Sequence, residues 1–235
     1  MHRLAAASTA LLLAACAAAT APSASTDPTS ALTPSAEPTP TSEPTPTASA
    51  TVAHEVAASP NPGLRDELLA MMAEDQAVRT GVAPPGDERT AEELFAAWPQ
   101  VDADNALRMG EILDEFGWPG WSLVGEDGAL AAWVLIQHAD FNLDLQKRGL
   151  AMMRAAVEAD DADPSDLAYL IDRVLVAEGK PQLYGTQLGA DENGELVPRT
   201  PIEDEANVDA RRAEMGLGTL EAYYEEFREA MEAEQ

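Results

Sequence analysis

Residues 17–62 cannot form a core, and they divide the chain in two. Of these 46 residues, 37 are Ala, Pro, Thr or Ser, and none is Lys, Arg or aromatic. A run such as Thr-Pro-Thr-Ser-Glu-Pro-Thr-Pro-Thr at 39–47 has no apolar side chain whose burial offsets the entropy of ordering it. The expectation is a disordered tether. Its proline density favours extended polyproline II at about 3.1 Å per residue, a reach of at most on the order of 140 Å. What remains, 63–235, has the length of one ordinary domain. It holds all 12 aromatic residues, and its 13 bases against 38 acids give it a charge of −25. Such a charge repels phosphate, which excludes a nucleic-acid binder working through a basic patch and disfavours an electrostatic membrane-surface module.

Ahead of the tether stand Met1-His2-Arg3, an apolar Ala/Leu-rich run over 4–15, and Cys16. A short basic start, about a dozen apolar residues and small residues before a cut site make a bacterial export signal. The run falls short of the roughly 20 apolar residues that span a bilayer. Leu13-Ala14-Ala15-Cys16 resembles a lipobox, the processing sequence of bacterial lipoproteins. That resemblance implies that Cys16 becomes the mature N-terminus and carries lipid on its thiol and amine. An ordinary signal peptide that happens to contain a cysteine is the alternative. Cys16 is the single cysteine of the chain, and an unpairable thiol elsewhere in an exported protein is a liability. The expected organisation is a signal peptide over 1–15, a lipid-bearing Cys16 with its tether over 16–62, and one domain over 63–235. This places the protein on the extracytoplasmic face of the cell membrane. The domain has no disulfide, and packing alone must hold it.

The spacing of apolar residues makes 63–235 mainly α: a compact multi-helix domain with one small β-hairpin. Leu64, Leu68, Leu69, Met71 and Met72 mark a helix face over 64–79, stopped by the Gly/Pro-rich segment 81–86. Thr90-Ala91-Glu92-Glu93 opens a short helix with a capping box, and it is expected to end near Trp98-Pro99. A further helix from about Asp102 carries Ala106, Met109, Leu113 and Phe116 on one face and stops at Gly117. Trp118-Pro119-Gly120-Trp121 reads as a rigid aromatic turn. Beyond Glu126-Asp127-Gly128 an apolar helix runs to about Asp140. Helices over 143–158 and 166–178 follow. The segment 182–188 is a strand candidate, 191–194 a turn and 195–198 the return strand. Charged helices at about 203–214 and 219–233 close the chain.

Polar residues interrupt three apolar faces. The stripe Leu130, Trp133, Val134 continues at helical spacing onto Gln137 and His138. The stripe Leu68, Met72 continues onto Asp75 and Arg79. The helix over 166–178 is apolar nearly all round, yet it contains Asp172 and Arg173. A buried charge costs several kcal/mol, on the order of magnitude, unless it is paired and hydrogen-bonded. With Gln182, Tyr184, Thr186 and Gln187 from the strand candidate, one shared polar pocket is the economical arrangement. The alternative is a salt-bridge network that only fixes helix register.

These residues also carry a resemblance. Asp75-Gln76-x-x-Arg79, Gly117-Trp118-Pro119, Gln137-His138-Ala139-Asp140, Tyr169-Leu170-Ile171-Asp172-Arg173 and Gln182-Leu183-Tyr184-Gly185-Thr186-Gln187 are similar to the motifs of an uncharacterised bacterial family, domain of unknown function 6624. The resemblance covers about residues 64–224 and implies a shared fold without implying an activity.

Only a few chemistries suit these side chains. His138 titrates near neutral pH when unperturbed. Oriented by Asp140, Asp75 or Asp172, it is a candidate general acid or base, with Asp172 its candidate catalytic partner. Arg79 and Arg173 suit a carboxylate or phosphate, and Asp75, Gln137, Gln182, Tyr184 and Gln187 suit the polar groups of a ligand. Thr186 is the one candidate nucleophile, since the domain has no cysteine and no Gly-x-Ser-x-Gly elbow. One domain histidine and no cysteine argue against a structural zinc site, and no metal or cofactor is expected. The functional expectation is a membrane-tethered domain binding a small polar ligand, a peptide end or another cell-envelope component. A hydrolase or transferase using His138 is the alternative.

Overall fold

The computed structural model describes residues 60–233. The expected signal peptide, the lipidated Cys16 and nearly all of the tether lie outside these residues. Helix α1 (Pro62–Thr80) starts with the Asn61 side chain accepting from Leu64 N–H and with Pro at its first position, where a missing N–H costs nothing. It ends at Gly81, whose left-handed φ of 69° lets its N–H reach back to Ala77. Helix α2 (Ala91–Phe116) opens with the expected Thr90/Glu93 capping box. It then runs straight through Pro99, joining what the sequence divides into two helices. Proline inside a helix costs about 3 kcal/mol. Trp98 beside it is anchored from both flanks, by its indole N–H to Asp102 at 2.9 Å and by the Arg79 guanidinium 4.7 Å from its ring centre. These contacts hold the helix together across the proline.

Helix α3 (Trp121–Gln137) begins five residues earlier than Glu126. Gly125 leaves the helical conformation (φ 76°, ψ 172°) and separates a first turn from the apolar body. Asp161 caps that first turn, accepting from the Ser122 N–H and hydroxyl. The body ends at Gln137, so His138 caps the helix and the expected extension to Asp140 is a turn instead. Helices α4 (Leu143–Glu158) and α5 (Pro164–Ala177) are capped by Asn142 and Asp163.

The strand expectation moves along the chain. Among the described residues β1 (Leu188–Ala190) and β2 (Leu196–Pro198) form the hairpin, antiparallel, with Gly189 opposite Val197, and Gln182 adds an isolated parallel bridge to Ile202. Residues 183–187 form a loop, because Gly185 turns at φ 67° and Asp172 draws the surrounding N–H groups inward. A 3₁₀ turn (Glu205–Asn207) precedes α6 (Val208–Glu214), and α7 (Leu220–Ala233) ends the description.

Helix α1 packs on α2 and α3, and α4 packs on α5. Leu68, Met109, Ile112, Trp133, Leu135, Ile136, Met153 and Leu170 are buried in the main core. An edge-to-face series runs from Trp133 through Tyr169 and Tyr223 to Phe227, with centroid spacings of 6.2, 6.0 and 4.8 Å. Each such pair adds about 0.5–1.5 kcal/mol beyond its area, and together they tie α7 to the domain centre. The domain is mainly α with one small hairpin, as its sequence implies.

Candidate functional site

His138 stands at the C-terminal end of α3, facing α1. Its Nδ1 lies 2.7 Å from Asp75 Oδ2, and the histidine side chain is only 4 % exposed. Asp75 also accepts from Arg79 Nε at 3.1 Å and from Gln76 at 2.9 Å. Arg79 reaches on to Asp102 at 2.5 Å, and Asp102 receives the Trp98 indole. The connected chain is therefore His138–Asp75–Arg79–Asp102–Trp98. Helical geometry accounts for the central link: Asp75 and Arg79 are i and i+4 on α1, so their side chains meet on one face.

The protonation states follow from this setting. Burial pushes the Asp75 carboxyl up, but the hydrogen bonds and charges of His138 and Arg79 outweigh it and hold it below the ordinary value. Burial lowers His138 below its ordinary value, and the Asp75 bond does not reverse this. At neutral pH the pair is thus carboxylate and neutral imidazole. The ionised Asp75 only accepts, so Nδ1 carries the proton and Nε2 carries a lone pair. That Nε2 is buried and has no hydrogen-bond partner among the described residues. For Asp102, burial prevails over the Arg79 charge and raises the carboxyl.

A second group lies around Gln137 and α5. Arg173 forms a two-point contact with Asp140, Nε to Oδ1 at 2.9 Å and Nη2 to Oδ2 at 3.2 Å. Its Nη1 donates to Gln187 Oε1 at 3.0 Å and lies 3.5 Å from Gln137 Oε1. The buried Gln146 of α4 donates to the Gln137 carbonyl at 2.9 Å and to Asp140 at 3.0 Å. Gln137 Nε2 and Gln146 Oε1 are also buried without partners among the described residues. Because Gln137 and His138 are successive residues, the two groups meet at the end of α3.

Asp172 belongs to a third arrangement. Its fully buried carboxylate accepts from Leu183 N–H at 2.7 Å, Tyr184 N–H at 3.2 Å, Thr186 N–H at 2.9 Å and the Thr186 hydroxyl at 3.0 Å. Of the three acids able to orient His138, the structure therefore pairs Asp75 with it and gives Asp172 the 183–187 loop instead. Burial raises the Asp172 carboxyl in spite of these donors. Thr186, donating to Asp172 and accepting from Gln187 Nε2 at 3.2 Å, is a locked structural hydroxyl and not a poised nucleophile. Gln182 is likewise committed. Its Nε2 donates to the Gln187 and Thr200 carbonyls and its Oε1 accepts from Gln187 N–H, so no amide hydrogen remains for a ligand. Tyr184 contributes its backbone, its N–H to Asp172 and its carbonyl to Arg212, while its ring packs on the core.

Three participants are not among the candidate site residues read from the sequence. Gln146 carries the same signal as the others, a polar residue in the buried stripe Gln146, Gly149, Met153. Asp102 and Trp98 were hidden by the assumption of a helix break at Pro99.

The fold and this site define a seven-helix domain, counted among the described residues, with a buried histidine–carboxylate centre. The chain belongs to the family of unknown function DUF6624, whose model matches residues 62–233. No curated protein and no solved structure matches it.

Proposed function

We propose that this protein is a lipid-anchored, extracytoplasmic ligand-binding protein whose helical domain holds a small polar ligand at the His138–Asp75 centre. One observation carries the reading: a buried imidazole, oriented through Nδ1 at 2.7 Å, whose Nε2 lone pair has no partner among the described residues. A buried acceptor left unpaired costs about 1–3 kcal/mol, which a ligand donor recovers on binding. Gln137 Nε2, on the residue before His138, and Gln146 Oε1 are likewise buried without partners among the described residues, and on this reading they meet the ligand as donor and acceptor. Anchoring rests on Leu13-Ala14-Ala15-Cys16, and the tether holds the domain clear of the membrane. A thermal-shift screen of small polar metabolites and cell-wall fragments on the full chain tests the binding. A hit should raise the melting temperature of the wild type and not of His138→Ala. Mass spectrometry of the mature N-terminus tests the anchor, and a Cys16 without lipid contradicts it.

The oriented, neutral imidazole also favours a second reading, in which His138 Nε2 takes a proton from a bound substrate as general base. Turnover by the wild type, lost in both His138→Ala and Asp75→Asn, distinguishes this from binding alone.

A further inference from the structure

Beside the His138 network lies an open pocket of about 440 Å³, bordered by Phe95, Trp98, Pro99, Asp102, Ala103 and Phe141. Its volume falls within the range of small-molecule sites, about 300–1,000 Å³. Three of its six lining residues are aromatic, and one alone is charged. Phe95 and Phe141 are 48 % and 61 % exposed, although large aromatic rings ordinarily seek burial. The wall is nevertheless held. Phe95 lies against Gly81, where an added Cβ would stand 2.7 Å from its ring. Trp98 is fixed by Asp102 and by the Arg79 guanidinium. Phe141 sits in the turn three residues beyond His138.

Charge sets the ligand. Asp75 and Asp102 face a single guanidinium, Arg79. Burial keeps His138 from supplying a second positive charge, and Arg173 is already matched by Asp140. The network is thus one positive charge short, and the shortfall falls at Asp102, on the pocket wall. Each Asp102 oxygen has one bond, from Arg79 or Trp98, and keeps capacity for another. A bare metal ion is poorly served, because one carboxylate among apolar side chains cannot replace its hydration shell. A cation with an apolar body matches both walls, since aromatic faces attract organic cations and a nearby carboxylate completes the balance.

We propose that this pocket binds an organic cation, an ammonium group on an apolar or aromatic body, with its charge facing Asp102 and its body among Phe95, Trp98 and Phe141. This goes beyond the His138-centred reading, because the pocket's own lining carries it beside that network. The negative domain charge adds attraction at long range.

The test is calorimetric titration of the full chain with two isosteric probes, (4-hydroxyphenyl)trimethylammonium and 4-tert-butylphenol, which differ in one charged atom. The cation should bind about tenfold more tightly or better. Asp102→Asn should reduce that preference to about threefold or less. Phe141→Ala, on an exposed turn and therefore safe for folding, should weaken both probes. Equal affinity for the two probes, no binding of the cation, or indifference of both to Phe141→Ala overturns the proposal. His138→Ala separates the two readings. A cation preference that survives in this variant, alongside ligand shifts that His138→Ala does not affect, sustains the pocket and removes the His138-centred reading. A His138-dependent ligand without cation preference does the reverse.

Discussion

Replacing Asp172 should loosen the 183–187 loop in a graded way. Its carboxylate accepts three backbone N–H groups and one hydroxyl, at 2.7 to 3.2 Å. Leu183 and Tyr184 are half-buried, so their N–H groups can recover water when the carboxylate is gone. Thr186 is 3 % exposed and cannot. Asp172→Ala therefore orphans the Thr186 N–H, costing about 1–3 kcal/mol, leaves the Thr186 hydroxyl to rotate toward another acceptor, and leaves two partly compensated N–H groups at about 1 kcal/mol each. Relief from burying a carboxylate offsets part of this. The net expectation is a loss of about 2–4 kcal/mol. Asp172→Asn keeps one acceptor for Leu183 and Tyr184 but turns an amide donor toward Thr186 N–H, so its loss should be about 1–2 kcal/mol. Urea unfolding at pH 7, read as a change in midpoint at constant slope, measures both. Equal losses in the two variants, or losses under about 0.5 kcal/mol in both, would refute the view that donor satisfaction holds this loop. A domain of this size has about 5–15 kcal/mol to lose and should stay folded in either case.

Acid should destabilise the domain through His138. Its folded value is depressed, so its contribution is present above its unfolded value of about 6.5 and is lost as pH falls toward the folded value. Asp166, whose carboxyl burial raises to about 7, gains stability as pH falls over the same window, so the readout is a difference: from pH 7.5 to 5 the melting temperature of the wild type should fall relative to that of His138→Gln. Asp75, also depressed, should act only below its own unfolded value near 4, a separate window on the same melting curves. Gly81→Ala combines a strained φ with a Cβ 2.7 Å from the Phe95 ring, and should cost about 1–3 kcal/mol in urea unfolding. Arg79→Lys keeps the charge but loses the planar fork shared by Asp75 and Asp102 and the stacking on Trp98. It should lower the melting temperature and shift the Trp98 indole resonance, whereas a surface exchange such as Arg228→Lys should do neither.

Where sequence and structure agree, local chemistry decides. The Thr90/Glu93 box and the Gly/Pro-rich stop that begins at Gly81 are each written within four residues of the helix end they set, and the Asn142 and Asp163 caps, which the sequence reading did not name, are equally local. Long-range anchors decide the rest. Pro99 looks like a terminus until Arg79, on another helix, stacks on Trp98. The 182–188 segment has strand composition, and a carboxylate on α5 turns five of its residues into a loop. Helical spacing was enough to find Asp75, Arg79, Gln137, His138 and Arg173 as interruptions of apolar faces. The partnership of Asp75 with His138 required knowing how α1 lies against α3, which no local pattern contains.

The 183–187 loop is held from both sides, by Asp172 before it in the chain and by groups after it. Arg212, fully buried, donates to the Tyr184 carbonyl at 2.7 Å, and the Tyr223 hydroxyl donates to the Thr186 carbonyl at 2.9 Å. This gives assembly a direction in time. A growing chain has made His138, Asp75 and Arg173 long before residue 223 exists. Until α7 arrives, the Thr186 carbonyl lacks its phenol, one residue before the Gln187 that meets Arg173. Helix α7 is therefore the latch, and a chain cut short before Leu220 should carry every residue of the candidate site yet leave it unset.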